Sequence, residues 1–482
     1  MRKFVLFLLL LFLAASFASC VKPKDLSQAP ETTEKTHVPN YTIEATLLPE
    51  THQAEVRTEI RYIVPEEGLS AVKLRLYANA YQSLVVSPSR VTAAYPKGES
   101  YGGCEITEIS ANKEIRDYEI GAEDKTLLTV RFAEKLLCGE EITLALRTLV
   151  TLANVKHRLG YADGYYMLSA FYPVLCPFRD GKYRYDPYYS YGDPFFLETA
   201  DFSVTFTFPV GMLAAASAMP FDRENRGKEC VCRYTLKEAR DFACVLSSRL
   251  LSAEGEVGDV KIRYCYEKDA KSAETLAFIQ EAIRTYEEAF GTFPYPSFTV
   301  VQTPFFEAGM EYSGLAMIDK DLSSAERKST ILHETAHEWW HGKTGSDEIL
   351  HPWQDEALAE YAVAYYYKAH DADLLYRKKI ANAEDDYLFF AAVKGDSPVD
   401  RPLSAGEEGY TETAYSKGLL MMTSLAEKLS FSALNDALRH YADAYVGKIV
   451  SPEDFLSAME KSLGKEARET LDLWLFTPLP LG

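Results

Sequence analysis

Basic residues are in short supply in this chain of 482 residues. Its 51 Lys and Arg stand against 71 Asp and Glu, a formal charge of −20. That balance argues against nucleic acid and other polyanions as partners. Cysteine is sparse as well. The eight thiols include no pair with metal-binding spacing, and Cys230-x-Cys232 is too close for a C-x2-C site. Long apolar runs are nearly absent. Phe4–Leu13 spans about ten residues, too few to cross a bilayer comfortably, and no longer run follows. No repeat of solenoid period stands out. Hydrophobic content of 47% is ordinary for a globular protein.

What is present begins with an export signal. Met1-Arg2-Lys3 is a short basic stretch, the apolar run follows, and small residues lead to Ala18-Ser19-Cys20. Small residues before a cysteine resemble a bacterial lipoprotein processing site, with Cys20 the lipidated residue. The alternative is ordinary secretory cleavage nearby. Either way the chain is expected outside the cytoplasm, lipid-anchored at the cell membrane or envelope, or secreted or periplasmic without the lipid. Residues 21–37 are polar, hold two prolines and suit a flexible tether. Without residues 1–20 the chain is about 460 residues long, enough for two or three domains.

From residue 38 to about 255 the pattern is that of strands. Tyr41–Leu47 and Ala54–Tyr62 alternate about a polar turn and predict a hairpin. Strands are also expected at 72–76, 127–132, 142–146 and 202–208. The aromatic stretch 165–196 reads as a packed edge between domains. From 256 to 482 helical periods dominate. Ala273–Phe290 predicts a helix closed by Gly291, Phe298–Gln302 a strand, and 419–475 a set of amphipathic helices.

The chemistry concentrates at Ile331–His341. His333-Glu334-x-x-His337 places two imidazoles one turn apart on one helix face, where both can grip one metal ion. Ser323-x-x-Glu326 predicts a capping box at the helix start, and Gly342 a stop. Hydrolytic zinc takes three protein ligands and keeps one position open. Glu356, nineteen positions after His337, supplies the third from a second helix that Pro352 opens. Without a metal, Glu356 would read as a first-turn acid favoured by the helix dipole. His341 and His351 read as outer or surface residues. Glu360 reads as a partner for a ligand histidine or a solvated acid.

Three further stretches carry a resemblance. Gly309-Met310-Glu311-Tyr312 resembles a G-x-M-E-N exopeptidase motif. Trp353-Gln-Asp-Glu356-Ala-Leu-Ala-Glu-Tyr361 resembles W-x-[ND]-E-G-x-A-x-[YF], and Tyr415-Ser-Lys417-Gly418 resembles Y-x-K-G. With H-E-x-x-H-x18-E, the chain resembles the M1 zinc aminopeptidases, strongly over 305–420. The resemblance implies an α+β multidomain fold, with an antiparallel, saddle-like β-sheet domain before a thermolysin-like α/β domain that is mostly helical toward the end. It implies one Zn²⁺ per chain on His333, His337 and Glu356, with Glu334 as the acid–base residue and Tyr415 as oxyanion donor. It implies substrate binding by Gly309, Met310 and Glu311, with Glu311 on the free amino terminus of a peptide. The second amine contact of the family matches best near Ser169, which is neither amide nor carboxylate. The large helical domain that follows in many members is missing, which implies a more open cleft or closure by another chain.

Two alternatives stay open: an endopeptidase on the same scaffold, and a tethered peptide-binding lipoprotein without catalysis. Substrate preference, disulfides and oligomeric state are not readable from the residues.

Overall fold

The computed structural model describes residues 38–478. Cys20 and the tether expected over 21–37 lie outside the described residues. No helix among those described is long and apolar enough to cross a membrane.

The first half is built from sheets. An eight-stranded sheet runs Asp222–Arg226, Glu229–Ala239, Ala200–Pro209, Asn40–Leu48, Gln53–Ile63, Glu141–Thr151, Gly103–Ala111 and Glu114–Ile115. Asn40–Leu48 and Gln53–Ile63 pair as the expected hairpin. Both strands alternate buried and exposed positions, because one face packs inward and the other meets water. One pairing departs from an antiparallel sheet: Asn40–Leu48 runs parallel to Ala200–Pro209. Two strands so distant in sequence can be joined in parallel because a long connection lies between them. Two four-stranded sheets and a short hairpin complete this half.

The second half opens on a five-stranded sheet ordered Leu251–Val257, Val260–Tyr266, Ser297–Thr303, Leu315–Asp319 and Gly309–Tyr312. Its central strand Ser297–Thr303 is buried throughout, as expected of a strand covered on both faces. Gly309–Tyr312 forms the edge. The helix expected over 273–290 forms as Ser272–Phe290, and Gly291 ends it at φ 91°, a conformation glycine tolerates best. The helices Ser324–His337, Trp353–Ala369 and Asp373–Lys394 follow. Four amphipathic helices fill residues 418–476.

The aromatic stretch does pack between the halves. Arg184 pairs with Asp347, and the Tyr191 hydroxyl donates to the Leu403 carbonyl. Buried Arg240 donates to the carbonyls of Leu197, His341 and Lys448, so one guanidinium joins three distant segments. All seven cysteines among the described residues are free thiols.

Candidate active site

Ser323 caps the helix Ser324–His337 with the expected reciprocal box to Glu326. Gly342 is not the stop. The coil continues as a π-helical turn through Glu338–Lys343, and Gly342 lies inside it. A Cβ at Gly342 would meet the Tyr295 ring at 3.1 Å, so close packing is what favours glycine there. Trp339 and Trp340 follow the second histidine and are fully buried, with Trp339 Nε1 donating to the Gly291 carbonyl at 2.9 Å. This apolar side holds the helix against the core and leaves its histidines facing the second helix.

That second helix, Trp353–Ala369, starts at Pro352 and carries Glu356 in its first turn. His333 Nε2 and His337 Nε2 lie 3.0 Å apart. Glu356 Oε2 lies 3.2 Å from the first and 3.6 Å from the second. His337 Nδ1 sits 2.5 Å from Asp355 Oδ1, and His333 Nδ1 sits 2.9 Å from Glu360 Oε1. Asp355 accepts from His337 Nδ1, and the charge of Glu360 favours a proton on His333 Nδ1, which has no aligned hydrogen bond. Both Nε2 lone pairs then face one another and an anionic oxygen. Three lone pairs converging in a buried place repel unless a positive species lies between them.

The charges around this point are strongly perturbed. Burial works against a protonated His333, but Glu356 and Glu360 outweigh it and raise its pKa to about 9. Burial would raise Glu360, yet Lys379, at 2.5 Å, and His333 hold it down at about 2. Glu356 is held well below the carboxylate range by the same two histidines, against its burial.

Glu334 is buried beside the triad, and its Oε2 has no hydrogen-bond partner. Burial pushes its carboxyl up to about 7, with the two histidines pulling the other way. Its carboxylate fills the space over Gly309. A Cβ on Gly309 would collide with it and would come within 2.7 Å of Thr330 Cγ2. Glu311, two positions on along the edge strand, is also buried with an oxygen free. One of its oxygens groups with Glu334 and His337 within 4.8 Å. Burial drives this carboxyl well above its ordinary range. Met310 and Tyr312 point the other way and pack with Phe305, Leu315 and Met317, following strand alternation. Met310 therefore brings backbone, not side chain, to this place.

Tyr415 approaches from the opposite side on the π-helical turn Thr411–Lys417. Its hydroxyl donates to Glu356 Oε1, and its ring stacks on His333 at 5.8 Å. Tyr410 packs edge-on against Tyr415 at 5.7 Å, and its own buried hydroxyl has no partner.

The model of the peptidase family M1 domain matches residues 274–474. This chain carries a peptidase family M1 domain. Its curated relatives include aminopeptidase M1-B of Oryza sativa subsp. japonica, 23% identical over 210 residues, 40% of this chain and 24% of that one. Endoplasmic reticulum aminopeptidase 1 of Rattus norvegicus is 24% identical over 204 residues, 39% of this chain and 22% of that one. The matched stretch thus spans about a quarter of each relative's length. Among solved structures, the M1 zinc metallopeptidase of Deinococcus radiodurans has a TM-score of 0.67 at 20% identity, covering 92% of this chain and 96% of that one. A mutant of it bound to a Tyr-Ser-Ala substrate gives 0.68 at 19%, covering 92% and 95%. The two-domain M1 metallopeptidase fold is shared: a β-rich first part and a helical last part.

Zinc is the cofactor that the M1 family and the zinc metallopeptidases of like fold imply. The donors fit it. Bonds of about 2.0–2.1 Å in a tetrahedron set neighbouring ligand atoms about 3.3 Å apart. The three edges here are 3.0, 3.2 and 3.6 Å. The orphaned Glu356 Oε2 and the paired lone pairs of the imidazoles are satisfied by such an ion.

Other polar residues surround this site. His341 is buried between Glu348, at 2.7 Å, and Asp241, at 3.3 Å. His351 pairs with Asp400 at 2.7 Å. Ser169 is buried and donates to the Arg158 carbonyl at 3.0 Å. Three residues escaped the sequence reading. Asp355 supports His337. Lys417, given no role of its own within Tyr415-Ser-Lys417-Gly418, is fully buried. Asp193 pairs with Arg158 at 2.8 Å and is raised to about 6 by burial, against Arg158 and with the charges of Glu356 and Asp355. Only Asp355 left a signal: a ligand histidine needs an acceptor on its other nitrogen, and this acid adjoins a ligand.

Proposed function

We propose that this chain is a zinc aminopeptidase that removes the first residue from peptides with a free amino terminus. The single observation that carries the reading is Glu311 held beside Glu334 and His337 with a buried oxygen unpaired. A carboxylate so placed accepts hydrogen bonds from an ammonium brought next to the reacting carbonyl, which sets the cut after one residue.

His333, His337 and Glu356 would hold the zinc ion. When bound, it supplies a Lewis acid that polarises the scissile carbonyl and acidifies water. Glu334 takes the proton of the attacking water and returns it to the leaving nitrogen. Its raised pKa suits both directions of that transfer near neutrality. Tyr415 turns its hydroxyl from Glu356 to the developing oxyanion. The backbone at Gly309 leaves room for the Glu334 carboxylate. The peptide enters with its ammonium on Glu311.

The test uses one peptide in two forms, with a free and an acetylated amino terminus. Cleavage is expected of the free form alone. Equal cleavage of both would favour an endopeptidase, and an absence of cleavage with zinc bound would favour a binding protein.

Export and lipid attachment at Cys20 belong to the same proposal. The basic start, the apolar run and the small residues before Cys20 support them. Replacing Cys20→Ser is expected to move the protein from the membrane fraction to the soluble one.

A further inference from the structure

Tyr415 and Lys417 stand two residues apart on one π-helical turn. Side chains two apart on a helical turn point to nearly opposite sides. Tyr415 reaches Glu356 on the helix Trp353–Ala369. Lys417 points away, toward the helix Asp373–Lys394 and the loop after it. Its Nζ donates to the Tyr387 hydroxyl and to Asp396 Oδ1, both at 2.9 Å, and to the Ser397 carbonyl. It also lies 4.7 Å above the Tyr387 ring. The three protons of a buried ammonium thus all have partners.

The Tyr415 side of the turn is seated just as closely. A Cβ at Gly418 would lie 2.6 Å from the Cβ of Ala357, the residue after Glu356. The backbone just after Lys417 therefore rests directly on the helix that bears Glu356. The Thr413 hydroxyl donates to the Gly409 carbonyl at 2.6 Å and closes the start of the turn. A π-helical turn holds itself by poorer hydrogen bonds than an α-helix and recurs at functional sites. Its rotation must be set from outside.

We propose that Lys417 is a positioning residue for Tyr415: its anchor on Asp396, Tyr387 and Ser397 sets the rotation of the turn, so that the phenol is held over Glu356. The proposal rests on the role given to Tyr415 above. Gly418 limits how near the turn comes to the helix, and Lys417 decides which side chain faces it. A misplacement of about 1 Å in a catalytic group costs on the order of a hundredfold in rate.

A double-mutant cycle tests this on the zinc-loaded full chain with an amino-acid amide substrate. Tyr415→Phe is expected to lower kcat about 10²- to 10³-fold. Lys417→Met is expected to lower kcat about 10- to 100-fold, with KM within about twofold and zinc content unchanged. The double variant should be no slower than Tyr415→Phe alone, because the two residues act as one unit. Lys417→Arg should restore most of the rate. If Lys417→Met does not fold, Asp396→Asn takes its place in the same cycle, its side chain being less buried than that of Lys417. Equal losses in both backgrounds, or no loss in either, overturn the proposal and leave Tyr415 in its role. A fully active Tyr415→Phe overturns that role and the proposal with it.

Discussion

Asp355 Oδ1 lies 2.5 Å from His337 Nδ1, and both groups are almost wholly buried. The adjacent Glu356 faces the other nitrogen of the same ring. One helical turn thus supplies both a metal ligand and the acceptor that orients another ligand. Loss of such an outer partner typically costs 10- to 100-fold in metal affinity. Asp355→Ala is expected to weaken zinc binding by about that factor, measured by competition with a chelator. Unchanged affinity would show that the imidazole is oriented by other means.

Glu334 separates binding from turnover. Glu334→Gln keeps the shape of the side chain and is expected to retain zinc while losing at least about 10²-fold in kcat. In the unsubstituted enzyme, protonation of Glu334 removes the base, so kcat/KM must fall as pH drops through its pKa. Burial, against the pull of His333 and His337, sets that point at about 7 without metal, and a bound cation moves it lower by favouring the anion. A pH–rate profile whose acid limb lies above 7 would contradict this assignment.

Gly309 tolerates no side chain. Gly309→Ala must displace both Glu334 and Thr330 or shift its own strand. Overpacking of this kind costs about 1–3 kcal/mol, read as a lower midpoint of thermal unfolding. The larger effect is expected in kcat, because the group that moves is the base. Gly98→Ala is the comparison, since a Cβ there meets nothing within 4 Å; its φ of 94° brings local strain but no contact with the site. Normal turnover in Gly309→Ala would remove Glu334 from that position.

His333 couples metal binding to pH. In the metal-free protein its pKa is raised to about 9 against a usual value of 6.5. The sign follows from that direction: the extra stability is complete below about 6.5 and is lost as pH rises through about 9. Zinc must displace this proton, so affinity is expected to grow by about tenfold per pH unit from 6.5 to 9. Unfolding of the metal-free protein and chelator competition over that range test both halves. A flat affinity profile would place the proton elsewhere.

Most of this domain's chemistry was legible because it is local. His333 and His337 share a face by helical period alone, and Ser323 with Glu326 marked where that helix begins. The alternation of Tyr41–Leu47 and Ala54–Tyr62 determined a hairpin and its buried face. Strand alternation also separated Glu311 from Met310 and Tyr312. Gly342 misled because a π-helical turn, held by the burial of Trp339 and Trp340, carries the coil past it.

The remainder depends on packing between segments far apart in the chain, which periodicity does not encode. Asn40–Leu48 pairs in parallel with a strand some 160 residues away, a choice that belongs to the whole sheet. Only the fold closes Asp396 and Tyr387 around Lys417. Asp193 enters the field of Glu356 only when the aromatic stretch folds over the helices. Sequence by itself determined which groups could act and which helix face they share. Tertiary structure decided their partners, because burial makes each partner's charge and proton count.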